Sequence, residues 1–422
     1  MQASQTSCCI QAKPILSASM TALLTFRDSI PLSLYVHLPW CVRKCPYCDF
    51  NSHETGDLQK RETAYVNALV RDLESALPVI WGRPVNTIFI GGGTPSLFSP
   101  ESLNRLLQAL QARLNFYPGI EITMEANPGT AEAGKFRNFR QAGINRLSIG
   151  VQSFNNEHLH KLGRIHDAAE AQDAVQMAKD AGFEDINIDI MYGLPGQSRE
   201  QALGDLQQAV ELEPAHVSWY QLTIEPNTVF YARPPRLPDD ERIWEMQQSG
   251  QQLLAQQGYR QYEISAYARD GYQCLHNLNY WQFGDYLGIG AGAHSKLTDV
   301  SAGKVIREAR HRMPERYMEL AGSGAAIAER KQLDRDDLQL EFMMNCLRLT
   351  GGVHPSLFMQ RTGLPLSEAG LHLQQAESRG LVEWDIERLK PTEKGLQYLN
   401  DLLQYFMPEN EQQSDSRRSG IP

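Results

Sequence analysis

The stretch YVHLPWCVRKCPYCDF, Tyr35 to Phe50, begins as an apolar, β-prone run and then sets three cysteines, Cys41, Cys45 and Cys48, within eight positions. A short apolar run that ends in a ligand-rich loop reads as a strand whose carboxyl end carries chemistry. The same pattern repeats outward from it. Strand-like runs lie at Leu32 to Leu38, Val85 to Gly91, Ile120 to Ala126, Arg146 to Gln152, Asp185 to Gly193 and His216 to Ile224, with a weaker one at Tyr259 to Tyr267. Amphipathic stretches such as TAYVNALVRDLESAL and REQALGDLQQAVELE separate them. Strands alternating with helices build a parallel sheet, and six such units bend into an α/β fold of the partial (β/α)6 TIM-like barrel kind.

A barrel of this kind gathers its reactive groups where strands end. The sequence obeys that rule. The cysteines follow the first strand and GGGTP (Gly91 to Pro95) the second; Glu125 closes the third, Gln152 the fourth, and Asp189 with GLP (Gly193 to Pro195) the fifth. Five polar or glycine-rich strand ends aimed at one rim imply a shared site.

Residues 31–300 are therefore expected to form the barrel domain, and residues 1–30 a disordered N-terminal extension. That extension holds one Lys and one Arg and lacks the charged, apolar and cleavage regions of a secretory signal. Met20 offers an alternative start, and Cys8 and Cys9 are expected to be incidental. Beyond Ser301 the alternation gives way to helical segments near Asp334 to Leu349, Pro355 to Thr362 and Ser367 to Arg379, followed by a strand, turn, strand and helix. Residues 301–405 thus read as a mostly helical, winged-helix-like domain with a packing or lid role, and residues 406–422 as a disordered tail.

Bulk properties narrow the function classes. A net charge of −10 disfavours a surface built to bind nucleic acid, and the apolar runs are strand-sized, far short of a membrane span or anchor. Seven cysteines, an odd number with three clustered, do not resemble a secreted disulfide framework and point to a cytoplasmic ligand set. Three thiolates spaced Cys-x3-Cys-x2-Cys can hold three irons of a [4Fe-4S] cube and leave the fourth free to chelate the amino and carboxylate groups of S-adenosylmethionine (SAM). A structural zinc site with His37 or His53 as fourth ligand fits the same three cysteines. The glycine run favours the cluster, since it lets backbone N–H and C=O groups approach the methionine end of SAM.

Taken together, YVHLPWCVRKCPYCDF, GGGTPS, MEANPG, GVQSF and IDIMYGLPGQ resemble the coproporphyrinogen oxidase-like branch of the radical SAM superfamily, over Leu32 to roughly Leu403. The resemblance implies that Cys41, Cys45 and Cys48 bind the cluster. It further implies that Tyr35 and Tyr47 flank cluster and SAM, that Gly93 and Thr94 meet the amino acid end of SAM, and that Glu125, Gln152, Arg164 and Asp189 complete the SAM pocket. The branch contains oxygen-independent coproporphyrinogen III oxidases and haem chaperones, and two features divide them. The oxidases carry a fourth cysteine where this chain has Phe50; and HNLNYW, His276 to Trp281, resembles a motif associated with haem binding in the chaperones.

The expectation is a haem chaperone that binds a [4Fe-4S] cluster, SAM and haem, with His276 as haem ligand, and delivers haem to acceptor proteins such as respiratory enzymes. The family alone implies a homodimer. The alternative is an oxygen-independent coproporphyrinogen III oxidase, which removes a hydrogen from each of two propionate side chains and releases carbon dioxide. A radical SAM enzyme acting on RNA fits the acidic balance least.

Overall fold

The computed structural model describes residues 24–27, 29–130 and 133–408. Cys8, Cys9, Met20 and the end of the expected tail, 409–422, lie outside them. One mixed sheet organises the described chain. Its strands are β1 (Leu32–Leu38), β2 (Pro84–Gly92), β3 (Asn115–Ala126), β4 (Arg146–Gln152), β5 (Asp185–Tyr192), β6 (His216–Gln221), β7 (Arg260–Gln261), β8 (Ala266–Ala268), β9 (Asp285–Ile289), β10 (His294–Asp299), β11 (Lys304–Arg310) and β12 (Ile327–Gln332). They lie in the order β12-β11-β10-β9-β1-β2-β3-β4-β5-β6-β8-β7.

From β9 through β1 to β6 every neighbouring pair is parallel, and this arc is the partial barrel. It stays open at its ends. Strands β1 to β6 fall where the apolar runs predict them. The weaker run at Tyr259 to Tyr267 is a hairpin, β7 and β8, laid antiparallel against β6. Strand β9 escapes a pattern search because its five residues sit in the glycine-rich stretch FGDYLGIGAGAH, yet it extends the parallel arc on the far side of β1.

The sheet does not stop near residue 300: β10, β11 and β12 carry it on, antiparallel, to Gln332. Helices Arg335–Cys346, Ser356–Thr362 and Gly370–Ser378 follow, then the hairpin Val382–Trp384 with Leu389–Pro391, a three-helix and wing arrangement. Its apolar core joins Phe342, Phe358, Leu373 and Leu381. Phe26, Ile30 and Phe406, which the sequence places in disordered ends, are buried in this same core. Large apolar side chains there fill space that the short helices leave between them.

A buried charge cluster fastens the extension to the barrel. Asp285, at the start of β9, accepts from Lys296 Nζ at 3.0 Å, Arg83 Nη2 at 2.9 Å and the Thr298 backbone N–H at 2.9 Å. Arg83 also donates to Ile30 O at 2.6 Å, so the segment before β1 joins the clasp. Asp285 and Lys296 are fully buried. Removing one member strands the other charge without water. Asp285→Ala is expected to cost about 3–5 kcal/mol by urea denaturation, and Asp285→Ala with Lys296→Met to recover most of that loss.

Candidate functional site

Along β3 to β6 the inward positions are polar at period two. They read Glu121, Thr123 and Glu125 on β3; Arg146, Ser148, Gly150 and Gln152 on β4; Asp185, Asn187 and Asp189 on β5; His216, Ser218 and Tyr220 on β6. Parallel pairing stacks them in layers, with Ser148 beside Asn187 and Asp189 beside Ser218. Above them a cavity of about 450 Å³ opens at the carboxyl ends of the strands, lined by Cys41, Cys45, Cys48, Tyr47, Gly93, Thr94, Glu125, Gln152, Arg164 and Asp189. The structure thus gathers ten of the twelve residues singled out from sequence around one space.

The cysteine loop is bonded to the glycine turn after β2. Gly93 donates its N–H to Leu38 O and Thr94 to Trp40 O, each at 2.8 Å, and the Thr94 hydroxyl reaches Cys41 Sγ at 3.5 Å. A Cβ on Gly93 would lie 2.5 Å from Trp40 O, so no side chain fits there. Gly92, at φ +115°, gives its N–H to Glu125 Oε2 at 3.0 Å. The amides of the turn are therefore committed to the protein. What Gly93 and Thr94 can offer a ligand is carbonyl oxygen and the Thr94 hydroxyl, which suit an ammonium and not a carboxylate.

The rest of the rim is equally fixed. Arg164 bridges Gly150 O at 2.7 Å and Cys45 Sγ at 3.5 Å, placing a cation beside that sulfur. Gln152 holds φ at +73°, a left-handed conformation that a non-glycine residue adopts at a cost, and its Oε1 accepts from the Tyr220 hydroxyl at 2.7 Å. Asp189 accepts from Asn187 at 2.9 Å and Ser148 at 3.0 Å. Burial pushes Cys41 and Cys48 up, opposed by hydrogen bonds from the Thr94 hydroxyl and the Phe50 backbone respectively. A metal would reverse that by holding the thiolates.

Two residues stand apart from the cavity wall. Tyr35 lies one layer behind it, stacked on Phe89, with its hydroxyl 3.0 Å from His37 Nδ1. His276 sits in the helix Leu275–Trp281, packed below the cavity, and is fully buried. Its Nδ1 meets the Thr87 hydroxyl at 2.8 Å and its Nε2 the Tyr280 hydroxyl at 3.1 Å. Burial lowers its pKa to about 3, so the ring is neutral. Glu121 accepts from the backbone N–H groups of Leu275 and His276, which seats this helix on β3. It is Asn277 that faces the cavity.

The geometry also bears on zinc. His37 Nε2 bonds Asn51 O at 2.9 Å and its Nδ1 faces Tyr35, while His53 Nε2 faces Asn51 and Arg312 O. Neither imidazole joins the cysteines, and among the described residues no three His, Cys, Asp or Glu side chains converge as the ligands of a single ion. Three soft sulfurs with a cation and a hydroxyl beside them fit the corners of a cluster.

Sequence reading missed Ser148, Asn187, Ser218, Tyr220 and Arg146, all of which line the cavity. Their signal was present as polar residues at every second strand position. It was hidden because each alone reads as an ordinary strand hydroxyl or amide.

Burial, helped by the charge of Asp189 and opposed by the Gly92 N–H, raises Glu125 to about 7. Protonated Glu125 therefore favours the fold below its ordinary value of 4.5, and that contribution is lost as pH rises through about 7. In ligand-free protein, Glu125→Gln is expected to flatten the fall in stability between about pH 5 and 8 by on the order of 2 kcal/mol, allowing for water in the cavity. Urea denaturation at the two pH values checks this.

Residues 35–209 match the Radical SAM superfamily and residues 333–398 the HemN C-terminal domain. The chain is 48% identical over 384 residues to the heme chaperone HemW of Haemophilus influenzae, covering 90% of this chain and 98% of the relative. It is 49% identical over 380 residues to that of Escherichia coli, with 90% and 99% covered. Among solved structures, the coproporphyrinogen III oxidase HemN from Escherichia coli, described as a radical SAM enzyme, superposes with a TM-score of 0.75 at 27% identity over 90% of each chain. Membership of that superfamily implies a [4Fe-4S] cluster and SAM, and the cavity has the donors for both. On near full-length identity of almost one half, this chain belongs to the HemW family of radical SAM proteins.

Proposed function

We propose that this chain is a haem chaperone: it holds a [4Fe-4S] cluster through Cys41, Cys45 and Cys48, binds SAM in the cavity beneath, carries haem, and passes it to acceptors such as respiratory enzymes. The observation that carries the reading is a three-cysteine loop over a polar cavity, with Phe50 at the position of the oxidases' fourth cysteine, in a chain so close to proteins named for haem.

A bound and reduced cluster supplies an electron able to break a carbon–sulfur bond of SAM. The protein's own residues do the placing. Asp189, and Glu125 once it gives up its proton, supply negative charge to a ligand that carries an ammonium and a sulfonium, while Arg164 suits its carboxylate. Gln152 and Tyr220, bonded to each other, form a rigid polar wall, and Tyr47 packs between the loop and Phe230. Tyr35 acts from behind by holding His37.

His276 enters this reading in a restricted way. Its two ring nitrogens serve Thr87 and Tyr280, so it is a haem ligand only in a conformation that frees one of them. The acceptors and a homodimer rest on kinship, and a cytoplasmic setting on the cysteine usage. Among the described residues no helix is long and apolar enough to cross a membrane.

The similarity to HemN favours one competing activity, oxidative decarboxylation of coproporphyrinogen III. Anaerobically purified protein with reconstituted cluster separates the two. Expected are haem binding near one per chain by absorbance titration and no conversion of coproporphyrinogen III. Turnover of the porphyrinogen without haem binding would replace the chaperone by the oxidase. His276→Ala, checked for fold by circular dichroism, reports on ligation through the haem spectrum.

A further inference from the structure

A haem carrier needs a surface for a flat, largely apolar ring with two carboxylates on one edge, and the buried His276 does not provide it. The exposed apolar side chains do, at one place. Val42 and Phe50 belong to the cysteine loop and are 50% and 60% exposed; Phe50, with Arg43, lines the cavity mouth. The short helix Val229–Ala232 is bonded to that loop, Phe230 N–H donating to Pro46 O at 3.0 Å. Phe230 turns inward to Tyr47, with ring centroids 6.4 Å apart, which leaves Val229 and Tyr231 outward at 60% and 58% exposure. Four large, half-exposed apolar groups thus belong to the loop and to the helix bonded to it.

Charge selects the occupant. On these two segments, 42–54 and 229–233, exposed Arg43, Lys44 and Arg233 outnumber Asp49 and Glu54, the latter bonded to the Lys44 N–H at 3.0 Å, although the chain as a whole carries −10. An aromatic and aliphatic collar edged with guanidinium groups matches a planar dianion, the ring against the apolar faces and each propionate paired by an arginine. A protein partner of ordinary acidity would not need the ring faces. We propose that haem docks face-on over the cysteine loop, on Val42, Phe50, Val229 and Tyr231, with Arg43 and Arg233 holding its propionates. This rests on the haem-carrier reading and assigns its site. Haem so placed covers the cavity mouth and slows exchange of whatever the cavity holds.

The test uses the full chain with reconstituted cluster, titrated with hemin, protoporphyrin IX and protoporphyrin IX dimethyl ester, with iron and sulfide content as the check on integrity. Val229→Ser with Tyr231→Ser, and separately Arg43→Glu with Arg233→Glu, are each expected to weaken hemin binding by about tenfold or more. The dimethyl ester should bind the unaltered chain about tenfold more weakly than the free acid, and hemin should slow release of radiolabelled SAM. Hemin affinity within twofold of the unaltered chain in both variants overturns the collar while leaving the carrier reading intact. Failure of the unaltered chain to bind hemin overturns both.

Discussion

Two backbone hydrogen bonds, Gly93 to Leu38 and Thr94 to Trp40, hold the cysteine loop against the end of the sheet, and the site depends on them. They form because Gly93 carries no side chain where Trp40 passes 2.5 Å from the place of a Cβ. A loop with three thiols and no such anchor would be a flexible chelator open to any soft metal. Anchored, it presents the cysteines at a fixed height over the strand ends, with Arg164 bonded to Cys45 and Thr94 to Cys41. Pre-organisation of this kind is what lets a protein direct a reactive cofactor instead of merely binding it.

Beneath the loop, the inward faces of β3 to β6 replace the usual aliphatic filling of a barrel by a polar ladder. Buried polar groups are tolerable only when satisfied, and here neighbours on adjacent strands satisfy one another: Ser148 with Asp189 and Asn187, Asn187 with His216, Gln152 with Tyr220. The ladder also sets charge. Glu125 and Asp189 are held in a desolvated space that burial makes costly for their charge, and a cationic ligand offsets that cost. Lower down, the helix Leu275–Trp281 packs against the arc, seated by Glu121 and by the hydrogen bonds of His276. Its HNLNYW sequence thus has an architectural role on its own terms, whatever other conformation it visits.

Much of this was legible beforehand for definite reasons. Strands β1 to β6 are short runs rich in β-branched and aromatic residues bounded by turns, and ligand-rich residues at their ends stand out against them. Strand β9 was illegible because two glycines bracket only five residues and its partner, β1, lies far away in sequence. The end of the sheet at Gln332 was hidden because β10 to β12, HSKLTD, KVIREAR and IAERKQ, are rich in charged and polar residues and offer neither an apolar run nor a clean alternation. Phe26, Ile30 and Phe406 read as tails because the core they enter belongs to a distant segment. The place of His276 was invisible in principle: a motif gives residue order, and burial depends on what Thr87 and Tyr280 do in three dimensions.

The central claim is that the anchored loop grips a four-iron cube by three corners and leaves the fourth for SAM. Electron paramagnetic resonance of the anaerobically reconstituted, dithionite-reduced chain, recorded with and without SAM, tests it most directly. The account predicts a reduced cluster signal with about four irons and four sulfides per chain, and a change in that signal when SAM is added. A chain that takes up zinc in place of iron, or a cluster spectrum indifferent to SAM, would contradict it.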